Sequence, residues 1–243
     1  MRVGVYVDAY NLYYGGRSLC GRGTSGWRWL DVRRLAASIV GSRLRWPGAS
    51  VVRIVYCTAR IDARTNPAGY RDQDVYLKAL LASGSVDHIE YGNYVARAKK
   101  AMLADVDSRG RPVIARSRWP LMVRDAQGAN VRDAQFMVQV FSLEEKGSDV
   151  NVATQLLIDI ASNTIDAAVV ISNDSDLRLP VQHARSVVPL GLINPSSNYL
   201  AGDLRGNVGD GVGNHWWVQL TSGDFFRSQL PSPVGSYHRP SGW

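Results

Sequence analysis

The stretch Ala167-Ala168-Val169-Val170-Ile171-Ser172-Asn173-Asp174-Ser175-Asp176-Leu177 decides the fold. It opens as an unbroken apolar run, the pattern of a fully buried strand. Two carboxylates one residue apart then stand where the strand ends and a helix begins. Charge at the lip of a hydrophobic core is costly unless it is paired or bound to a cation. The start of the chain has the same design: Val3-Gly4-Val5-Tyr6-Val7, then Asp8, with Asn11 following in the next turn. Two such strand ends lying side by side would hold a divalent metal.

Outward from these two strands, the chain alternates strand and helix. Residues 10–16 start a helix after the first strand, and residues 15–29, rich in Gly and Arg, read as a loop. Asp31 caps a helix that carries Val32, Leu35, Ala36, Ile39 and Val40 on one face, and Gly41 ends it. Residues 51–57 are a second buried strand. Residues 66–82 suit a helix with Pro67 in its first turn, and residues 86–91 a short third strand. Ser148 reads as the cap of a helix over 149–161, with Ala153, Leu156, Leu157 and Ile160 on one face. Asp149 shares that face at the helix start, where the macrodipole favours an anion. It also reads simply as a first-turn acid that helps the helix. A short helix over 177–185, a strand over 187–193 and an edge strand over 216–220 complete the series. This alternation gives an α/β fold with a mostly parallel sheet, in which ligands bind outside the carboxyl ends of the strands. Asp8 and Asp174 both stand at such ends.

Residues 92–142 break the pattern. Between residues 97 and 118, Arg97, Lys99, Lys100, Arg109, Arg111, Arg116 and Arg118 are opposed only by Asp105 and Asp107. Two β-like runs, 113–123 and 135–141, flank a turn signal at 125–130. The reading is an antiparallel hairpin inserted into the core. It serves either as a nucleic-acid surface or as a solvated edge whose Arg residues block aggregation.

The 243 residues allow one large domain with an elaboration, and 45% hydrophobic content excludes a disordered chain. No apolar run approaches the roughly 20 residues that span a bilayer, so no membrane partner is expected. Met1-Arg2-Val3 leads straight into a strand without a separate apolar leader, which favours the cytoplasm. Cys20 and Cys57 form no metal-ligand spacing and read as free thiols. The four histidines are scattered, which argues against zinc. The net charge of +7 suits either a polyanionic partner or an ordinary Arg-rich surface.

Four carboxylates converge in this reading: Asp8, Asp149, Asp174 and Asp176, with Asn11 as a neutral neighbour. They cannot all stay ionised together without compensation. Hard divalent cations, Mg²⁺ or Mn²⁺, take oxygen ligands and pair with substrate phosphates. Such ions activate water and stabilise the leaving oxygen of a phosphodiester.

Three segments carry a family resemblance. Residues 5–12, Val-Tyr-Val-Asp-Ala-Tyr-Asn-Leu, resemble the opening D-x-x-N motif of NYN domains, a branch of the PIN-like nucleases. Residues 144–153 are similar to that branch's E-K-x-x-D-V-x-x-A helix start, and residues 170–177 to its S-x-D-S-D-F signature, with Leu177 in place of the aromatic. Residues 70–92 are similar to the LabA-like subgroup. The resemblance implies a PIN-like three-layer sandwich over 1–222, with 92–142 inserted and 223–243 as a C-terminal extension. It also implies a metal-dependent endoribonuclease that leaves a 5′-phosphate and a 3′-hydroxyl. Asp8, Asp149, Asp174 and Asp176 would be metal ligands and Asn11 a polar neighbour. Glu145 would be an outer acid or a partner for Lys146. Arg17, Lys146, Ser172 and Asn173 are candidates to bind the RNA substrate. Many relatives are dimeric, or act as toxins or RNA-turnover factors, so a homodimer and an antitoxin or other protein partner both stay open.

Other folds with an acid after the first strand fit less well. A haloacid dehalogenase phosphatase needs a second acid where Tyr10 stands. A receiver domain wants an acid pair where Asp8 stands alone. A dinucleotide-binding domain wants G-x-G-x-x-G where the chain has Asp-Ala-Tyr-Asn. A toprim nuclease normally has Glu at the first strand. The rival from another class is a non-catalytic RNA-binding or regulatory module on the same fold. Trp27 and Trp29, in the basic loop, are the best base-stacking candidates on sequence; Trp216 and Trp217 read as packing residues.

Overall fold

The computed structural model describes residues 1–115, 122–135 and 137–243, with side chains described outside 94–98 and 141–145. In chain order the first elements are β1 (Arg2–Asp8), α1 (Ala9–Cys20), α2 (Val32–Gly41), β2 (Ser50–Ala59), α3 (Pro67–Ala82) and β3 (His88–Met102). Next come β4 (Ala104–Val106), β5 (Pro112–Ile114), β6 (Met137–Lys146), α4 (Ser148–Ala161) and β7 (Ala167–Ile171). A single 3-10 turn, Ser175–Leu177, leads into α5 (Arg178–Val187), and the chain closes with β8 (Leu190–Asn194), α6 (Gly202–Arg205), β9 (Trp216–Gln219) and α7 (Ser222–Arg227).

The main sheet has the order β6-β3-β2-β1-β7-β8-β9. The six strands from β3 to β9 run parallel to their neighbours. Alternate residues of each strand feed two separate cores. Val3, Val5 and Val7 of β1 pack with side chains of α1, α2, α3 and α7. Tyr6 of the same strand, with Ala168 and Val170 of β7, packs with α4, α5 and α6. The result is a three-layer α/β sandwich with the expected, mostly parallel sheet at its centre. No helix among the described residues is long and apolar enough to cross a membrane.

The chain forms two compact units, Met1–Tyr94 with Glu145–Trp243, and Val95–Glu144. In the second unit β4 and β5 pair antiparallel, and the carboxylate of Asp107 accepts from the backbone of Arg109 and Arg111 to close the turn between them. Of the expected strand over 113–123, residues 113–114 belong to β5, and residues 116–121 lie outside the described residues. The turn at 125–130 is present, bridged between Arg124 and Asn130, with Asp125 accepting from Gln127 and Ala129. Arg116 and Arg118 lie outside the described residues, as does the side chain of Arg97.

Three local expectations change. Residues 15–20, read as loop, continue α1 as helix. Gly15 and Gly16 act there by close approach: a Cβ on Gly15 would strike the Pro195 backbone, and one on Gly16 the rings of Trp27 and Phe225. Trp27 and Trp29 are core residues rather than stacking surfaces, 2% and 0% exposed. Trp29 also donates to the Pro231 carbonyl at 2.8 Å. Residues 223–243, set apart in sequence as an extension, belong to the first unit, because Phe225, Leu230 and Val234 complete its core.

The second core holds one feature absent from the sequence reading. Asp159, on α4, is buried. Its Oδ2 accepts from the Tyr6 hydroxyl at 2.8 Å and from Arg53 Nε at 2.6 Å. Burial, with Asp159 beside it, pushes the Tyr6 hydroxyl far above its ordinary value. The buried seam of α4 therefore runs through Ser148, Val152, Leu156, Asp159 and Ile160 instead of the Ala153 and Leu157 line. Removing the acid would orphan the buried Tyr6 hydroxyl and leave the partly buried Arg53 guanidinium with Gln155 alone. Asp159→Ala should therefore destabilise the fold by about 3 kcal/mol in urea denaturation, against about 1 kcal/mol for Tyr6→Phe. Equal midpoints for Asp159→Ala and the native chain would refute that assignment.

Candidate metal centre

The parallel register sets four side chains abreast at the carboxyl rim of the sheet. Asp8 of β1 aligns with Cys57 of β2, and Cys57 with Glu90 of β3. On the other side Val7 aligns with Ile171, so Ser172 follows β7 beside Asp8.

Asp8 ends β1 and caps α1. Its Oδ1 accepts from the backbone N–H of Asn11 at 3.0 Å. Its Oδ2 accepts from Asn11 Nδ2 at 2.7 Å and from the Ser172 hydroxyl at 2.9 Å. The side chain is 1% exposed. Burial pushes its carboxyl up; the bonds from Asn11 and Ser172 pull it down, and the charge of Asp174 adds to the rise. Asn11 also ties the two strand ends together, since its Oδ1 accepts from the Asn173 N–H at 3.3 Å.

Asp149 arrives from a different direction. Gly147 adopts φ +95°, a conformation that a side chain resists, and turns the chain from β6 into α4. That places Asp149 in the first turn of the helix, where the backbone dipole favours an anion. Ser148 is the first helical residue rather than the cap. Asp174 follows β7 and caps the 3-10 turn, accepting from the Asp176 N–H at 3.0 Å. Its own N–H donates to Ser172 Oγ at 3.1 Å, so one hydroxyl links Asp8 and Asp174.

One carboxylate oxygen from each of Asp8, Asp149 and Asp174 lies within 4.8 Å of the other two. Three oxygen donors at that spacing, drawn from three separate elements, fit a hard divalent cation better than a soft metal. Asp176 stands outside this group, exposed on the turn that Asp174 caps. Asn173 is occupied in holding the 196–201 loop: it accepts from the Ala201 N–H at 2.8 Å and donates to the Tyr199 carbonyl at 3.0 Å. Lys146 is exposed at the end of β6, while the side chain of Glu145 lies outside the described residues. Arg17 lies over the Tyr14 ring, its guanidinium 5.7 Å from the ring centre.

Glu90 is the acid that sequence reading passed over. It sits in the same row, two strands from Asp8, and accepts from Gln155 Nε2 at 2.6 Å. Burial, with Glu90, Asp8 and Asp149 nearby, drives the Cys57 thiol far above its ordinary value, so this cysteine stays protonated. The available signal was an acid near the end of a predicted strand, as at Asp8.

Without a cation, the charge on Asp174 opposes ionisation of the buried Asp8. In EDTA at neutral pH, Asp174→Asn should be at least as stable as the native chain by thermal melting. Because the Asp8 carboxyl is raised in the fold, its charged form weakens folding at neutral pH. The gap between the two proteins should therefore close as pH falls through the folded Asp8 value. Added Mn²⁺ should raise the Tm of the native chain by several degrees and leave Asp174→Asn unmoved. Equal Mn²⁺ shifts in both would remove Asp174 from the centre.

No family model matches the chain. Among curated proteins the chain is similar to 6-hydroxy-3-succinoylpyridine 3-monooxygenase HspA of Pseudomonas putida (strain DSM 28022 / S16). The two are 29% identical over 252 residues, covering 96% of this chain and 72% of the relative. Among solved structures it is similar to a protein of unknown function from Vibrio parahaemolyticus RIMD 2210633. That match has 14% identity and a TM-score of 0.44, covering 92% of this chain and 94% of the other.

Proposed function

We propose that the chain is a metal-dependent ribonuclease of the NYN type, acting through the carboxylate centre at the sheet rim. The observation that carries this reading is the convergence of Asp8, Asp149 and Asp174 to within 4.8 Å. The residues that would hold Mg²⁺ or Mn²⁺ are these three. The chemistry supplied by such an ion is water activation and stabilisation of the leaving oxygen in an in-line displacement.

The chain's own residues prepare the site. Asn11 and Ser172 lock the Asp8 carboxylate in one orientation, with donors on both of its oxygens. Burial of Asp8 keeps water off the core side of the centre. Asp174 is half-buried and Asp176, on the same turn, is exposed on the solvent side from which a phosphodiester would arrive. The excess of Lys and Arg would gather the polyanion. A cytoplasmic setting accords with two cysteines that form no disulfide.

A second reading is favoured by the curated relative, which is named for oxygenation of a substituted pyridine. A cavity of about 410 Å³ beside α1, walled by tyrosines and two arginines, has the size and lining for a small aromatic acid. The all-carboxylate donor set, which suits Mg²⁺ or Mn²⁺, favours the nuclease.

Labelled RNA incubated with Mn²⁺ or Mg²⁺ should be cleaved, and EDTA should stop the reaction. Folded Asp8→Asn and Asp174→Asn proteins should lose about 100-fold or more in rate. Tight RNA binding without cleavage, unchanged in both variants, would leave a binding module with an architectural acid cluster.

A further inference from the structure

Helix α1 starts at the metal centre and carries an unusual outer stripe. Tyr10, Tyr13, Tyr14 and Arg17 follow one another at i, i+3, i+4 and i+7, a spacing that ordinarily turns toward a core. Here the core takes the opposite side, through Leu12, Gly15 and Gly16. The three tyrosines are 45%, 40% and 44% exposed. They form a continuous aromatic surface. The Tyr10 and Tyr14 rings are 4.4 Å apart, those of Tyr13 and Tyr14 5.2 Å, and Tyr13 leans on Trp27 at 5.6 Å. Two guanidinium groups border it, Arg17 over Tyr14 and Arg28 over Trp27. The stripe opens on the cavity of about 410 Å³, whose far wall includes Asn66, Asp72 and Trp243. Tyr10 is two residues from the ligand Asp8, and the stripe runs about 10 Å from there along the helix.

We infer that Tyr10, Tyr13 and Tyr14, with the cavity beside them, form a stacking subsite that holds unpaired RNA bases next to the scissile phosphate. The inference rests on the nuclease reading for the identity of the polymer. Exposed aromatic faces bordered by arginine match the way single strands are held, by stacking on rings with cationic groups on the backbone. A duplex has its bases already stacked on one another and cannot use such a surface. The cavity lies within the range of about 300–1,000 Å³ that encloses small ligands, enough for one base turned out of the strand. The carboxylate of Asp72 and the amide of Asn66 supply groups that a base edge would meet. The position also explains why the tyrosines stay uncovered: the apolar side of α1 is already filled by Leu12 and by the close approach at Gly15 and Gly16.

The test is fluorescence anisotropy in EDTA, where cleavage is stopped. The probes are a labelled single-stranded RNA and the same sequence annealed as a blunt duplex. The native chain should bind the single strand more tightly than the duplex. Tyr10→Ala/Tyr14→Ala should weaken single-strand binding by about tenfold or more. The salt dependence should stay as in the native chain, because no phosphate contact is removed. Tyr14→Phe, which keeps the ring, should bind as the native chain does. Tyr14→Leu, apolar but without an aromatic face, should weaken binding like alanine and guards against a folding defect in the double variant. Unchanged single-strand affinity in the alanine and leucine variants, or equal affinity of the native chain for duplex, would overturn the inference. Cleavage of the same RNA by Asp174→Asn in Mn²⁺ is measured in parallel. Absence of Mn²⁺-dependent cleavage by the native chain, or equal cleavage by Asp174→Asn, would overturn the nuclease reading by itself, whatever the tyrosine variants bind.

Discussion

The rim of this sheet depends on one buried carboxylate. Asp8 is enclosed by the end of β1, the first turn of α1 and Ser172 after β7, and both of its oxygens accept hydrogen bonds. Those bonds offset part of the desolvation of the charge and leave the rest uncompensated, which is why its carboxyl stays raised. Asp174 and Asp149 bring further negative charge to the same point. A fold built only for stability would place an apolar or neutral residue there. A cation resolves the conflict, and the geometry of the three oxygens is consistent with one.

The acids are held by the interior as well as by each other. Behind the rim, Tyr6 and Arg53 share Asp159, Arg53 also donates to Gln155 at 3.2 Å, and Gln155 donates to Glu90. This chain of polar contacts runs from the middle of the second core to the row that contains Asp8. It fixes the rotation of α4 on the sheet. Because α4 carries Asp149 in its first turn, that rotation also fixes the third carboxylate of the centre. Core polarity and site geometry are thus one construction, which accounts for a buried acid on a helix face that would otherwise be apolar.

Much of this was legible in sequence where local pattern decides structure. The unbroken apolar runs of β1 and β7 marked buried parallel strands, and acids directly after them marked the rim. Asp8 and Asp174 stood out by their position at strand ends; Asp149, equally readable as a plain first-turn acid, joins them in the fold. What depended on distant packing was not legible. Gly15 and Gly16 read as a loop because nothing local reveals that Pro195, Trp27 and Phe225 press against them. Trp27 and Trp29 read as surface aromatics in a basic loop, yet the chain's last residues return to bury them, with Trp243 6.5 Å from Trp29 between ring centres. Glu90 joins the rim through strand register, which composition does not encode. Asp176 and Asp174 look equivalent in sequence. The turn that Asp174 caps separates them, one toward the centre and one toward solvent.

The most direct test is a crystal of the native chain soaked in Mn²⁺, with anomalous scattering recorded above the manganese edge. An anomalous peak is expected among the carboxylates of Asp8, Asp149 and Asp174, with metal–oxygen distances of about 2.1 Å, near those of a hard divalent ion. An empty triad in a crystal that binds manganese elsewhere would contradict a metal centre and reduce Asp8 and Asp174 to caps and Asp149 to a first-turn acid.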